Sequence, residues 1–294
     1  MPQPDVSVVV TTFQRQKSLA ALLGALARQC YPRDRFEVIV VNDGGAPLGE
    51  AVQAFETELQ LRTIEQSNRG PASGRNTGAA QARGALLAFT DDDCEPAPGW
   101  LSTLKRESEA APDCLLGGRT VGGFPAEPCS VANQMILDAV YGFYNARPGD
   151  ARFFATNNMA VPVALFRSLG GFDARFRLAS EDRDFCDRWR MSGLRLIHAA
   201  EAVVVHRQRL THREFLSLHF RYGRGAARFH RERAHRRSSR FSEHFRMYTH
   251  SHNWLLRPWR EAPLLRAAHL ELLLLAWQVA NAAGFIYGWL MDTR

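Results

Sequence analysis

Leu86-Leu87-Ala88-Phe89-Thr90-Asp91-Asp92-Asp93 reads as a buried strand that stops on three carboxylates. The run from Leu86 to Thr90 has no polar alternation, the pattern of a strand covered on both faces, as in a parallel sheet. Adjacent carboxylates repel one another. Gathered at a strand end they make sense around a cation, and oxygen ligands suit Mg2+ or Mn2+, which also bind a diphosphate. A solvated acidic turn is the plainer alternative.

Outward from this stretch, strand and helix signals alternate. Residues 6–10 are a β-branched run, and Ser18 is the expected N-cap of a helical spacing of Leu19, Leu22, Leu23 and Leu26. Residues 36–41 predict a second strand closed by an Asn42-Asp43-Gly44-Gly45 turn. Residues 51–59 predict a helix, 61–65 a strand and 74–83 a short helix. This order means βαβ units, an α/β fold and a mostly parallel sheet. Ligands of such sheets bind beyond the carboxyl ends of the strands, where Asp43 and residues 91–93 both fall. Further along, residues 117–128 are rich in Gly and Pro and read as loop or edge strand. A short helix is expected at 163–169, a helix at 181–192, and strands at 194–197 and 202–205. From His206 onward the pattern is helical. The expected organisation is one catalytic α/β domain, 1–206, with a helical extension, 207–294.

Hydrophobic residues make up 46% of the 294, enough for a sizeable core. The formal charge of +7 points to an anionic partner: a nucleotide, a membrane surface or a nucleic acid. The excess is concentrated in residues 207–266, where only Glu214, Glu232, Glu243 and Glu261 oppose it. Five cysteines without a CxxC pair fit reduced thiols and no zinc site. The chain opens on a strand-like stretch instead of a charged-then-apolar leader, which predicts a cytoplasmic catalytic part.

Acidic residues recur at Ser180-Glu181-Asp182, where a helix begins; a helix N-terminus alone favours acids there through its dipole. Taken in order, Thr11-Thr12-Phe13, Val41-Asn42-Asp43-Gly44, Asn68-Arg69-Gly70, Arg75-Asn76, the 91–93 run, Gly170-Gly171-Phe172-Asp173 and Glu181-Asp182 resemble family 2 glycosyltransferases of the GT-A fold. The resemblance covers roughly residues 6–205. It implies that Thr11, Phe13 and Asp43 hold the base and ribose of a nucleotide-sugar donor, with UDP the commonest nucleotide among similar enzymes. Arg75 and Asn76 match a segment beside the diphosphate. Asp91 and Asp93 resemble the outer carboxylates of a DxD motif, with Asp93 the direct ligand of Mn2+ or Mg2+ and Asp92 counted with the donor site. Asp182 matches the catalytic base, with Glu181 orienting it or contacting the acceptor, and Arg188 matches a recurrent donor-side arginine. His206, at a strand end, is either a further metal ligand or a half-exposed histidine with no such role.

The chemistry is coherent without the family name. Breaking a sugar–phosphate bond leaves charge on a diphosphate, which a divalent cation stabilises. The acceptor hydroxyl needs a carboxylate to take its proton. One base and one metal suffice for an in-line displacement that inverts the anomeric centre.

In residues 215–235, Arg221, Arg224, Arg228, Arg231 and His235 share one helical face beside an apolar stripe of Phe215, Leu218, Tyr222, Ala226 and Phe229. A basic amphipathic helix predicts contact with an anionic membrane; a solvated arginine face on a packed helix is the alternative. Residues 264–290 are strongly apolar but interrupted by Arg266, His269, Glu271, Gln278 and Asn281. They fall short of the ~20 unbroken apolar residues of a spanning helix. That predicts an interfacial helix on the cytoplasmic face, near a lipid-linked hydroxyl acceptor, or a surface packed into a homo-oligomer. A nucleic-acid-binding protein would explain the arginines but not the acidic strand ends, and no nucleic-acid motif is present. A sugar-nucleotide-binding protein or a nucleotidyltransferase of the same general fold is the competing reading, although Thr11-Thr12-Phe13-Gln14-Arg15 stands where a nucleotidyltransferase's glycine-rich loop belongs. A dinucleotide oxidoreductase would need GxGxxG there.

Overall fold

The computed structural model describes residues 3–147, 149–236 and 256–292. Its centre is an eight-stranded sheet in the order β3-β2-β1-β4-β7-β6-β8-β5. β1 (Val6–Thr12), β2 (Phe36–Asp43), β3 (Leu61–Gln66) and β4 (Leu86–Asp91) are mutually parallel, and the continuous apolar runs of β1, β2 and β4 suit strands covered on both faces, while β3 is the half-exposed edge. The other half is mixed. β7 (Asn158–Pro162) runs antiparallel to both β4 and β6 (Leu115–Gly122), and β8 (Leu196–His206) is parallel to β6 and antiparallel to the short β5 (Cys94–Pro96). Helices α1 (Gln16–Ala27) and α4 (Trp100–Ala110) cover one face with Leu19, Leu22, Trp100 and Leu104. The other face is covered by α3 (Pro71–Ala80), α6 (Val163–Ser168) and α7 (Glu181–Met191), around Phe89, Phe166, Phe172, Phe185 and Trp189.

Several expectations are corrected. Asn42 and Asp43 are the last residues of β2 and not a turn, because their polar atoms are satisfied in place. The Asn42 amide donates to Ala46 O (3.0 Å) and Glu65 Oε2 (2.7 Å). The helix expected at 51–59 is only α2 (Glu50–Gln53); beyond it the chain closes three-residue turns, Phe55 N to Val52 O and Glu58 N to Phe55 O. The glycine-rich start of the 117–128 stretch is interior β6. A Cβ on Gly117 would stand 1.8 Å from the Phe154 ring, so close approach explains the missing side chain. Residues 194–197 and 202–205 merge into the single strand β8, with a register shift opposite Gly118 and Arg119. Helix α5 (Pro128–Tyr144) and strand β7 were not anticipated.

The extension comprises α8 (His212–Arg236), α9 (Arg257–Glu261) and α10 (Leu264–Met291); the part of the expected helical run at 237–255 lies outside the described residues. α10 packs along α8 and against α5, burying Leu270, Leu273, Leu274 and Trp277. The arginine face of α8 is largely not solvated. Arg224 pairs with Asp292 (2.8 Å) and covers Tyr287, while Arg231 donates to Gly288 O and Asp292 O and covers Trp289. These cations meet the carbonyl end of α10, where a helix dipole favours them. Arg221 stays exposed.

Candidate active site

The sheet register assembles the site. Thr11 stands between Val41 on β2 and Asp91 on β4, and Cys94 on β5 lies opposite His206 on β8. The carboxyl ends of four strands therefore deliver Thr11, Asp43, the 91–93 run and His206 to one edge. Helix α3 closes down on β1 because Gly74 and Gly78 have no side chains. Cβ atoms there would lie 2.6 Å from Thr11 Cγ2 and 2.5 Å from Val9 Cγ1. The close approach carries Arg75 into the site.

Arg75 is the buried keystone. One nitrogen of its guanidinium donates to Asp91 Oδ1 and another to Glu181 Oε1, each at 2.6 Å. It thereby ties β4 to the first turn of α7. Thr12 Oγ1 (2.7 Å) and Arg15 (3.1 Å) donate to Asp92; Arg15 also reaches Asp93 at 2.8 Å. Asp93 Oδ1 lies 3.2 Å from His206 Nε2, and Asp93 O accepts from Arg207 N, clipping the end of β8 to the acidic run. Burial, only partly offset by Arg15, pushes the Asp92 carboxyl up to about 6. Asp93 goes the other way, for its bonds to His206 and Arg15 outweigh its burial. Burial works against the His206 charge, but Asp93 raises its pKa above the ordinary value.

Asp182 is set apart. Its carboxylate accepts only from Arg183 N (2.7 Å) among the described residues, and no side chain bonds it. Burial, then the neighbouring Glu181, pushes it up to about 7. The residue before the pair, Ser180, is held at φ 75°, and Gln14, before Arg15, at φ 56°. These are the positive-φ non-glycine residues among those described, and each costs about 1–2 kcal/mol. Both flank the acidic cluster.

Asp43 holds a loop: Gln66 Nε2 (2.6 Å) and the N–H groups of Arg69 (2.9 Å) and Gly70 (2.8 Å) donate to its two oxygens. Phe13 stands just beyond β1, 45% exposed. Two expected donor contacts are not brought to the site. The Asn76 amide is spent on Phe172 N and O (2.9 and 2.7 Å), and Arg188 on Leu169 O, Gly171 O and Asp184 (2.8, 2.6 and 2.8 Å). Both side chains fasten the Gly170–Phe172 turn under α7, because that turn leaves carbonyls open to them. Arg15 and Thr12 were given no role from sequence. Their only signal was position, a cation and a hydroxyl at the carboxyl end of β1.

Five carboxylates (Asp91, Asp92, Asp93, Glu181 and Asp182) thus face two guanidiniums, Arg15 and Arg75. The surplus of negative charge suits a cation. Asp93, Cys94 and His206 present ligand atoms within 4.8 Å of one another. Burial keeps the Cys94 thiol far above its ordinary pKa and hence neutral, so the carboxylate and imidazole are the donors fitted to Mn2+ or Mg2+.

An α/β sheet that gathers acids at the carboxyl ends of its strands, beside a helix opening on two more, is the class of a GT-A sugar transferase. This chain belongs to glycosyl transferase family 2: that family's model matches residues 7–168, and that of glycosyl transferase family group 2 matches residues 130–291. It is a glycosyltransferase. It is 28% identical over 232 residues to glycosyltransferase AglE of Haloferax volcanii, covering 76% of this chain and 73% of that one. It is 30% identical over 202 residues to validoxylamine A glucosyltransferase of Streptomyces hygroscopicus subsp. limoneus, over 59% of this chain but only 45% of that protein. Its fold matches that of mannosyltransferase PcManGT from Pyrobaculum calidifontis, solved with GDP-Man and Mn2+. The TM-score is 0.70 at 21% identity, over 100% of this chain and 89% of that one.

Proposed function

We propose that the chain transfers its sugar by a metal-assisted single displacement that inverts the anomeric carbon, with Asp182 as the base. The observation that carries this is the contrast between two carboxylate groups sharing one cleft. Among the described residues Asp182 has no side-chain partner, and its pKa is pushed up to about 7, suited to take a proton near neutrality. Asp91 and Asp93 are instead tied to cations or cation-like partners, Arg75, Arg15 and His206. Asp91, Asp93 and His206 are the residues that would hold Mn2+ or Mg2+, and the ion bound there would neutralise charge developing on the diphosphate. Thr11, Phe13 and Asp43 line the nucleotide side, and Glu181, pinned by Arg75, orients the base. The Mn2+ and GDP-Man of the mannosyltransferase with the same fold support this division of labour.

The test is a thermal-shift panel of UDP-glucose, UDP-N-acetylglucosamine and GDP-mannose, with Mn2+ and with EDTA. A donor at a hundred times its Kd adds about 2.7 kcal/mol, so the matching donor should raise the melting temperature by several degrees with Mn2+. EDTA should cancel both that shift and sugar transfer. Undiminished transfer in EDTA would reject the metal role.

The exposed side of α10 supports a second element of the proposal, peripheral attachment to a membrane beside a lipid-linked acceptor. Leu265, Leu272, Val279 and Ile286 are 87, 65, 70 and 58% exposed at seven-residue spacing, and no charged residue joins their row. The helix is long and apolar enough to cross a membrane by length and composition. Its opposite face is nevertheless part of the protein core, which favours lying on a bilayer over crossing it.

A further inference from the structure

The C-terminal helices also reach the candidate site, through one side chain. Of the apolar stripe on α8, Phe215, Leu218, Ala226 and Phe229 are buried, but Tyr222 remains 42% exposed. Its position is tightly fixed. A Cβ on Gly223 would stand 2.0 Å from Asn281 O on α10, and one on Gly225 would stand 2.5 Å from Ala179 O and 2.9 Å from Ser180 Oγ. α8 is thus wedged, backbone against backbone, between α10 and the turn that presents Glu181 and Asp182. Tyr222 precedes Gly225 by three residues, so it shares the face that touches this turn. Behind it, His219 meets its ring edge-on at 5.7 Å and packs in turn on Phe215 (4.4 Å) and Trp277 (6.2 Å).

The Tyr222 hydroxyl makes no hydrogen bond among the described residues. On the face of α8 that meets Ala179 and Ser180, the phenol stands beside the start of α7, where Glu181 and Asp182 lie. By the proposed reading, the acidic strand edge holds the leaving diphosphate and α7 the base, so the transferred sugar must lie between. A neutral phenol there offers a hydrogen bond to a sugar hydroxyl and a flat apolar face to the ring.

We propose that Tyr222 is a sugar-contacting specificity residue, delivered to the catalytic cleft by the helical extension. The proposal rests on the donor-site reading above, and binding measurements separate the two. Wild type, Tyr222→Phe and Tyr222→Ala would be titrated calorimetrically, in Mn2+, with UDP-glucose against UDP and GDP-mannose against GDP. The phenylalanine variant should lose about five- to tenfold in affinity for the nucleotide sugar that binds, the worth of one hydrogen bond, and the alanine variant more. UDP or GDP affinity should hold within about twofold, since neither carries the sugar. Unchanged nucleotide-sugar affinity in both variants, or equal losses for the nucleotide and its sugar, would overturn the assignment. A wild type that binds neither UDP nor GDP would sink the donor reading, and this proposal with it.

Discussion

At the scale of single residues, the site is organised by how its charges are shared out. Arg75 is buried, so solvent screens its attraction for Asp91 and Glu181 only weakly, and it holds both. That leaves Asp182, one residue on and turned about 100° around the helix, without such a partner. Its consequence is a pH dependence of defined sign. A base must be ionised to work, and the Asp182 carboxyl sits at about 7. kcat/KM should therefore climb with pH through about 7 and level off above it. His206, raised by Asp93, must shed its proton before it can bind a metal, so it acts in the same direction. A kcat/KM already flat from pH 5 upward would reject Asp182 as the base. The acids themselves were legible in the sequence because carboxylates at strand ends are unusual enough to notice. Arg15 was not, since its partners lie 77 and 78 residues away and only the register of β1 with β4 brings them together.

At the scale of elements, what could be read from sequence was whatever repeats locally. β1, β2, β4 and α1 carry apolar residues in a continuous run or at a regular period. β6 hid behind Gly117 and Gly118, whose lack of side chains answers to Phe154 and Asn158, distant in sequence. The arginines of α8 misled for a related reason. Their helical spacing was right, but the carbonyls that take them up belong to α10, more than fifty residues on. The loss of that basic face shifts the membrane reading onto the apolar row of α10. Introducing Leu272→Glu and Val279→Glu together puts two charges on exposed positions and should leave the melting temperature nearly unchanged. It should abolish co-flotation with phosphatidylglycerol vesicles, because a fully buried Leu or Val side chain is worth about 1.5–3 kcal/mol. Equal flotation of wild type and variant would rule the row out as a membrane contact. Failure of the wild type to float, joined with a dimer that the variant loses, would assign the row to a second copy of the chain.

At the scale of the whole molecule, the proposed division gives the N-terminal parallel strands the nucleotide side, β4 and β8 the metal side, and α7 the base. α8 ties the extension to that last element, through Arg236 to Asp184 (2.8 Å) and Arg233 to Asp187 (3.2 Å) as well as through Gly225. The extension is thus continuous with the catalytic machinery, whatever surface it also offers outside. The proposed chemistry follows from one arrangement: an acidic strand edge suited to a cation, and beside it a carboxylate, Asp182, raised in pKa and bonded by no described side chain. The most direct test is Asp182→Asn, which keeps the size of the side chain and removes its basicity, assayed with the donor found by the panel and with the product's anomeric configuration read by NMR. The expected result is a loss of ~10²–10⁴-fold in turnover with donor affinity near normal, and a wild-type product whose configuration is opposite to the donor's. Normal turnover by Asp182→Asn, or a wild-type product that keeps the donor's configuration, would contradict a single displacement driven by Asp182.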